Sequence, residues 1–265
     1  MQNVKSYLVS LGPGSRMVRI ALRTHGALRG FGVHFSEAEI SLRKNNRDMI
    51  LSAAQYIQVP LMMECYQLYF DTIEADATKG REVLDFSKPA LHTYKRNGAS
   101  FHFPSVREDD VMDAYTRWYT PKTGDVVWDA GAHAGDTTCF LAGMVGPEGK
   151  VYAFEPDECN FPYLTRNIEL HQIRNAVALP YALGGSSGSV PFQSNGMDIE
   201  GAELAVISGA KEFLQQNPIH FAIESQHQIE GEYTCKSLDR IFRAIGYEVE
   251  SSSMHGVIFT WARPK

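Results

Sequence analysis

Apolar positions change their period along the chain, and each change marks a different kind of element. Met17, Ile20, Ala21, Thr24 and Leu28 recur at helical spacing with arginines between them, which predicts a peripheral helix packed on a domain through that stripe. From about Ser36 to Asp76 the pattern is again helix-like. Ile50, Leu51, Ala54 and Ile57 share one face before Pro60, and Leu61, Met62, Cys65 and Leu68 follow it. Between Arg81 and Pro104 the period shortens. Leu84, Phe86, Leu91, Tyr94, Phe101 and Phe103 come in near alternation around Asn97-Gly98, which predicts strands and a hairpin turn. Ser105-Val106-Arg107-Glu108 then has capping-box spacing and opens a predicted helix running to about Trp118.

After Pro121 and Gly124 the character becomes that of an α/β domain. The apolar run Val126-Val127-Trp128 ends in Asp129, two spaced glycines follow, and a helix is predicted through Phe140, Leu141 and Met144. The strand Val151-Tyr152-Ala153-Phe154 closes in Glu155-Pro156 and completes a βαβ unit. Asp157 can cap a helix through Leu164 and Ile168, residues 176–182 read as a third strand, and Gly184 to Gly188 as a flexible turn. Leu204, Ile207, Ala210 and Leu214 give a helix face and residues 219–224 a buried strand. Leu238, Ile241, Phe242 and Ile245 give a further helix closed by Gly246. Residues 247–251 and 257–261 form a terminal hairpin. The predicted class is α/β, a Rossmann-like, mostly parallel sheet flanked by helices. Residues 1–104 form an N-terminal helical cap with a β-hairpin, and residues 105–265 the ligand-binding domain.

Composition narrows the function classes. The chain has 265 residues with 44% hydrophobic content, enough for one large core or for a main domain with a smaller appendage. Its net charge of -6 leaves no basic footprint for nucleic acid, and no apolar run approaches membrane-spanning length. Cys65, Cys139, Cys159 and Cys235 form no C-x-x-C pair, so thiols in a reducing, cytoplasmic compartment are expected rather than disulfides or zinc. The first 36 residues carry Lys5, Arg16, Arg19, Arg23 and Arg29 and no acid, the composition of a targeting or membrane-surface segment. No secretory apolar core appears, and a packed helix is the preferred reading.

The chemistry concentrates at the first strand of the α/β domain. Asp129 is delivered by a strand, Gly131 and Gly135 let the backbone turn tightly around Ala132 and His133, and Asp136 and Thr137 suit the first turn of the next helix. Glu155 stands where a dinucleotide-type fold places its ribose hydroxyl acceptor, and Pro156 stops the strand there. A nicotinamide or flavin fingerprint would need glycines where His133 and Asp136 stand, and a pyrophosphate would meet an acidic helix start. S-adenosyl-L-methionine carries no phosphate and is cationic at sulfur, so an acid-rich loop suits it better.

Four blocks in order, VVWDAGAHAGDTT, VYAFEPDECNFPYLTRNIELHQ, MDIEGAELAVISGA and IHFAIESQHQ, resemble the FkbM-type S-adenosylmethionine-dependent methyltransferases over roughly residues 115–251. The resemblance implies a class I methyltransferase sheet, the cofactor laid over Gly131 to Gly135, and Glu155 on its ribose. It implies a small-molecule hydroxyl acceptor on a sugar or secondary metabolite. Transfer would be in line from sulfonium to oxygen, with Asp198, Glu200, Glu224 and His227 as candidate acids and bases. Glu200 and Glu203 can equally favour a helix N-terminus through the dipole, and His227 can be solvated. Two acids without a defined ligand set do not make a metal site. One departure from the family stands out. Only Gln193 to Gly196 separate the third-strand region from the D-x-E-G-x-E box, so the fourth strand is almost missing. The alternative reading is a degenerate cofactor-binding or interaction protein without turnover.

Overall fold

The computed structural model describes residues 12, 14–78, 80–106, 112–185, 202–229, 231–254 and 257–265. The chain divides into two compact units, Met1–Asp109 and Asp110–Lys265.

The N-terminal unit holds helix α1 (Arg16–Leu28) and strands β1 (Gly32–Phe35), β2 (Glu39–Lys44) and β3 (Arg47–Ser52). A 3-10 turn (Ala53–Ile57), helix α2 (Val59–Thr72) and strands β4 (Asp76–Thr78) and β5 (Arg81–Phe86) follow. The strands form one five-stranded sheet in the order β1-β2-β3-β5-β4, with β3 and β5 parallel. Here the helix-like reading of residues 36–52 fails. Ile40 and Leu42 on β2 and Met49 and Leu51 on β3 are buried at every second position, and Asn45-Asn46 turns the chain between them with Asn45 at φ 54°. Pro60 in the first turn of α2 fits where a helix tolerates proline. A single core joins Val18 and Leu22 of α1, Met62, Met63, Tyr66 and Phe70 of α2, and the inward residues of β1, β2, β3 and β5. The predicted hairpin is present as β6 (Ala90–Thr93) paired antiparallel with β7 (Ser100–Phe103).

The faces of α1 are reversed from expectation. Val18, Leu22 and Gly26 are buried, while Met17, Ile20 and Leu28, read from the sequence as the packed stripe, are exposed.

The C-terminal unit is α/β and Rossmann-like. It begins with a short helix α3 (Met112–Tyr115), all that the described residues show of the helix predicted from Ser105; Arg107 and Glu108 lie outside them. Strand β8 (Val126–Ala130), helix α4 (Asp136–Val145), strand β9 (Lys150–Phe154), helix α5 (Phe161–Leu170) and strand β10 (Ala176–Leu179) make a βαβαβ run. Both pairings are parallel, in the order β10-β9-β8. Val151 and Ala153 are fully buried because α4 and α5 cover that face through Leu141, Ala142, Val145 and Leu164. Helices α6 (Ala202–Gly209) and α7 (Lys211–Gln216) precede strand β11 (Phe221–Glu224). Two short strands, β12 (Gln228–Ile229) and β13 (Glu232–Tyr233), lead into helix α8 (Thr234–Ala244) and the hairpin β14 (Tyr247–Met254) and β15 (Val257–Pro264). These form a second sheet, β11-β15-β14, antiparallel throughout. Ile207, Leu214, Leu238 and Phe242 cover one face of it, and Ala114 packs on the other against Phe259 and Trp261. The expected α/β class and reversed terminal hairpin are present. The shortened join from Gln193 to Met197 and the fourth-strand position lie outside the described residues.

Candidate functional site

Parallel strands β8 and β9 end side by side, so the turns that follow them open at one edge of the sheet. The loop after β8 is tied to β9 by the backbone N–H groups of Gly131 and Ala132, both donating to the Phe154 carbonyl at 2.9 Å. Gly131 has φ 83° and Gly135 φ 84°, in the region that favours glycine. Their surroundings differ. A side chain at Gly135 would strike Leu164 of α5, its Cβ only 2.5 Å from a Leu164 methyl, whereas at Gly131 nothing lies within 4 Å. Gly135 therefore serves helix packing and Gly131 leaves open space beside the loop. His133 also adopts positive φ, 47°.

Two carboxyls organise the loop. Glu155 is 5% exposed; its Oε2 accepts the His133 N–H and its Oε1 the Asp157 N–H, each at 2.8 Å. It braces the Gly131 to Gly135 loop from the end of β9, with Pro156 directly after it. Burial raises the Glu155 carboxyl above its ordinary value, against the lowering by those two amides. Asp129, at the end of β8, accepts the Thr138 hydroxyl at 2.5 Å. Burial pushes its pKa up to about 6, and the Asp136 and Glu155 charges add to the rise. Asp136 and Thr137 occupy the first turn of α4.

Of the proposed acids and bases, Glu224 and His227 each have a partner of their own. Glu224 ends β11 and its Oε1 accepts the Tyr115 hydroxyl at 2.9 Å. His227 is not a solvated loop histidine. Its Nδ1 lies 3.3 Å from Glu203 Oε1, with 10% and 15% of the two side chains exposed. Burial raises the Glu203 carboxyl, but hydrogen bonds from His227 and backbone outweigh it and hold the group below its ordinary value. Asp198 and Glu200 lie outside the described residues.

Sequence reasoning missed two buried polar supports. Thr138 is fully buried against Asp129, and fully buried Asn167 donates its side-chain N–H to the Ala134 carbonyl at 2.8 Å, locking α5 to the loop. A weak signal existed for Asn167, an amide between Leu164 and Ile168 on the apolar face of a helix. Among the described residues no three His, Cys, Asp or Glu side chains gather as a metal-holding group, and no helix is long and apolar enough to cross a membrane.

No family model matches the chain. No curated protein matches it. Among solved structures, it is similar to a SAM dependent methyltransferase from Aquifex aeolicus at 20% identity and TM-score 0.39, covering 54% of this chain and 82% of that one. It is similar to the precorrin-6y C5,15-methyltransferase of Geobacter metallireducens GS-15 at 15% identity and TM-score 0.44, covering 60% and 90%. The methyltransferase FkbM of Methylobacillus flagellatus KT overlaps it at 15% identity and TM-score 0.43, over 92% of this chain and 58% of that one.

Proposed function

We propose that the C-terminal unit is an S-adenosyl-L-methionine-dependent methyltransferase acting on a hydroxyl oxygen of a small molecule, a sugar or a secondary metabolite. One observation carries the reading. Two carboxyls, Asp129 and Glu155, stand at adjoining strand ends around a glycine loop; burial raises both, and the neighbouring charges that add to the rise are those of carboxylates, Asp136 and Glu155 on Asp129 and Asp157 on Glu155. A site of that sign favours a cationic, phosphate-free ligand over a pyrophosphate. The residues fit the group: Gly131 leaves room on the ligand side of the loop, and the Glu155 carboxylate keeps acceptor capacity beyond its two amide partners and the Asn160 side chain.

When bound, the cofactor supplies a sulfonium methyl for in-line transfer. Gly131, Ala132, His133 and Gly135 would seat it, Glu155 would accept its ribose hydroxyls, and Asp129, Asp136, Thr137 and Pro156 would complete the rim. Glu224 or His227 would remove the acceptor's proton as the oxygen–carbon bond forms and the sulfur–carbon bond breaks. Tyr115 fixes Glu224, and Glu203 fixes the His227 ring. Asp198 keeps its place in the proposal on its position in the D-x-E-G-x-E box.

Calorimetry tests the reading. Glu155→Ala is expected to weaken S-adenosyl-L-methionine by roughly 1.5–3 kcal/mol, the scale of hydrogen bonds to a charged group. Because Glu155 also braces two loop amides, Glu155→Gln is the matched variant: it keeps an acceptor for the loop while losing the charge. Unchanged affinity in both folded variants, or tighter binding of NAD, overturns the assignment. A second reading, cofactor binding without turnover, is favoured by the exposure of Val126 and Trp128 on β8. Retained binding with no transfer to any hydroxyl acceptor would select it.

A further inference from the structure

Helix α1 presents to solvent the face that its sequence would be expected to bury. Met17, Ile20 and Leu28 are 58%, 53% and 82% exposed, with Ala21 and Thr24 exposed among them. At about 100° per residue these five positions fall on one arc of the helix. Arg16, Arg19 and Arg23 lie along one side of that arc, His25 stands on the other, and Arg29 is the C-cap just past the helix, donating to the His25 ring.

The arginines are placed, not merely present. The guanidinium carbons of Arg19 and Arg23 stand 5.6 and 5.5 Å from the centre of the Phe35 ring, and Arg23 donates to the Val33 carbonyl. At the helix end, Lys44 donates to the Arg29 carbonyl at 3.2 Å, which adds another cation there. Glu64 of α2 reaches Arg29 at 3.7 Å; both side chains are largely exposed. Along the sequence the first carboxylate after Arg16 is Glu37.

We propose that α1 is an interfacial helix that seats the N-terminal unit on an anionic lipid surface. Met17, Ile20 and Leu28 enter the boundary between headgroups and acyl chains, and the arginines along the flank and at the C-cap meet lipid phosphates. An apolar arc flanked by a row of cations, on a helix whose opposite face is anchored in a folded core, is the arrangement that lies in the plane of a bilayer. Long arginine stems let the charges reach outward while the apolar side chains go deeper. The charge complementarity selects anionic lipid. An acidic protein groove could meet the same cations, but it would need a shape matched to the convex apolar arc and its arginine row, whereas a bilayer surface needs none.

The experiment is co-sedimentation of the full chain with vesicles of phosphatidylcholine alone and of phosphatidylcholine with phosphatidylglycerol at equal parts. Binding is expected to the mixed vesicles only, and to weaken as salt is raised. The triple change Met17→Ser, Ile20→Ser, Leu28→Ser should lower partitioning at least roughly tenfold. Arg16→Glu should lower it by about fivefold or more. All these positions are exposed, so far-UV circular dichroism and the thermal transition should match the parent, separating lost docking from lost fold. Equal binding to both vesicles, binding to neither, or full binding by the triple variant overturns the proposal; binding to neither would return the ridge to a protein partner.

Discussion

Asp129 is a carboxyl whose protonation state couples the loop to pH. Its folded pKa of about 6 stands above its ordinary value, so the folded chain holds this proton more tightly than the unfolded chain does. The contribution is therefore most favourable below the ordinary aspartate range, falls as pH rises toward 6, and stays at its lower level above that. Asp129→Asn keeps an acceptor for Thr138 and removes the titration. It should raise stability at pH 7.5 by ~1–2 kcal/mol, allowing for the partial exposure of the strand, and leave it nearly unchanged at pH 4. Denaturant melts at the two pH values measure this, and an equal effect at both would mean that Asp129 is not the titrating group. Under the proposed function a cationic ligand draws the same pKa down, so its affinity in the parent should rise between pH 5 and 7.5. Asp129, Gly131 and Glu155 were legible in the sequence because an acid or glycine at a strand end is a local feature. Thr138 and Asn167 were not. Their partners, a carboxylate nine residues back and a carbonyl thirty-three residues back, are brought to them only by the fold.

Among elements, those whose period was unambiguous read true: the alternating segments of the β6–β7 hairpin and the apolar run of β8 both appear as strands. The failures have physical causes. The segment carrying β2 and β3 satisfied a helical spacing at Ile50, Leu51, Ala54 and Ile57, although its Asn45-Asn46 turn and the alternation of Ile40, Leu42, Met49 and Leu51 supported strands. On α1 two stripes competed, and the one buried includes Gly26, which adds no apolar side chain to a pattern. Its value is close approach. A Cβ there would lie 2.4 Å from a Val33 methyl and 3.1 Å from the Met63 Sδ-methyl carbon. Alanine in a helix interior is ordinarily favoured over glycine by about 1 kcal/mol. At Gly26 the clash should reverse the sign, and Gly26→Ala should destabilise by ~1–2 kcal/mol. Thr24→Ala on the exposed arc should be neutral or slightly stabilising. Thermal unfolding of the two variants reads the orientation of α1 directly, and the opposite order of effects would mean that the helix is turned the other way.

On the scale of the whole molecule, the C-terminal unit holds two three-stranded sheets, and among the described residues β8 pairs with β9 on one side and with no strand on the other. A Rossmann-like sheet normally buries such a strand on both faces, yet Val126 is 63% and Trp128 59% exposed. The hydrogen-bond pattern makes this testable amide by amide. Lys150 N–H donates to the Asp125 carbonyl and Gly131 N–H to the Phe154 carbonyl, each at 2.9 Å, bracketing the parallel ladder. In such a ladder alternate N–H groups face the partner. Those of Val127 and Asp129 therefore point to β9, and those of Val126, Trp128 and Ala130 point to the other edge. Hydrogen exchange should be slow at Val127 and Asp129 and markedly faster at Val126, Trp128 and Ala130. Acrylamide should quench Trp128 fluorescence far more than that of Trp261, whose side chain is fully buried. Under the proposed function, an edge left open beside the Gly131 loop would expose the acceptor side to water and slow methyl transfer, because neither alignment nor water exclusion would be complete. Equal protection at all five β8 amides would instead mean that a further strand pairs there. The case for impaired turnover would then fall, while the assignment of the Gly131 to Gly135 loop would stand.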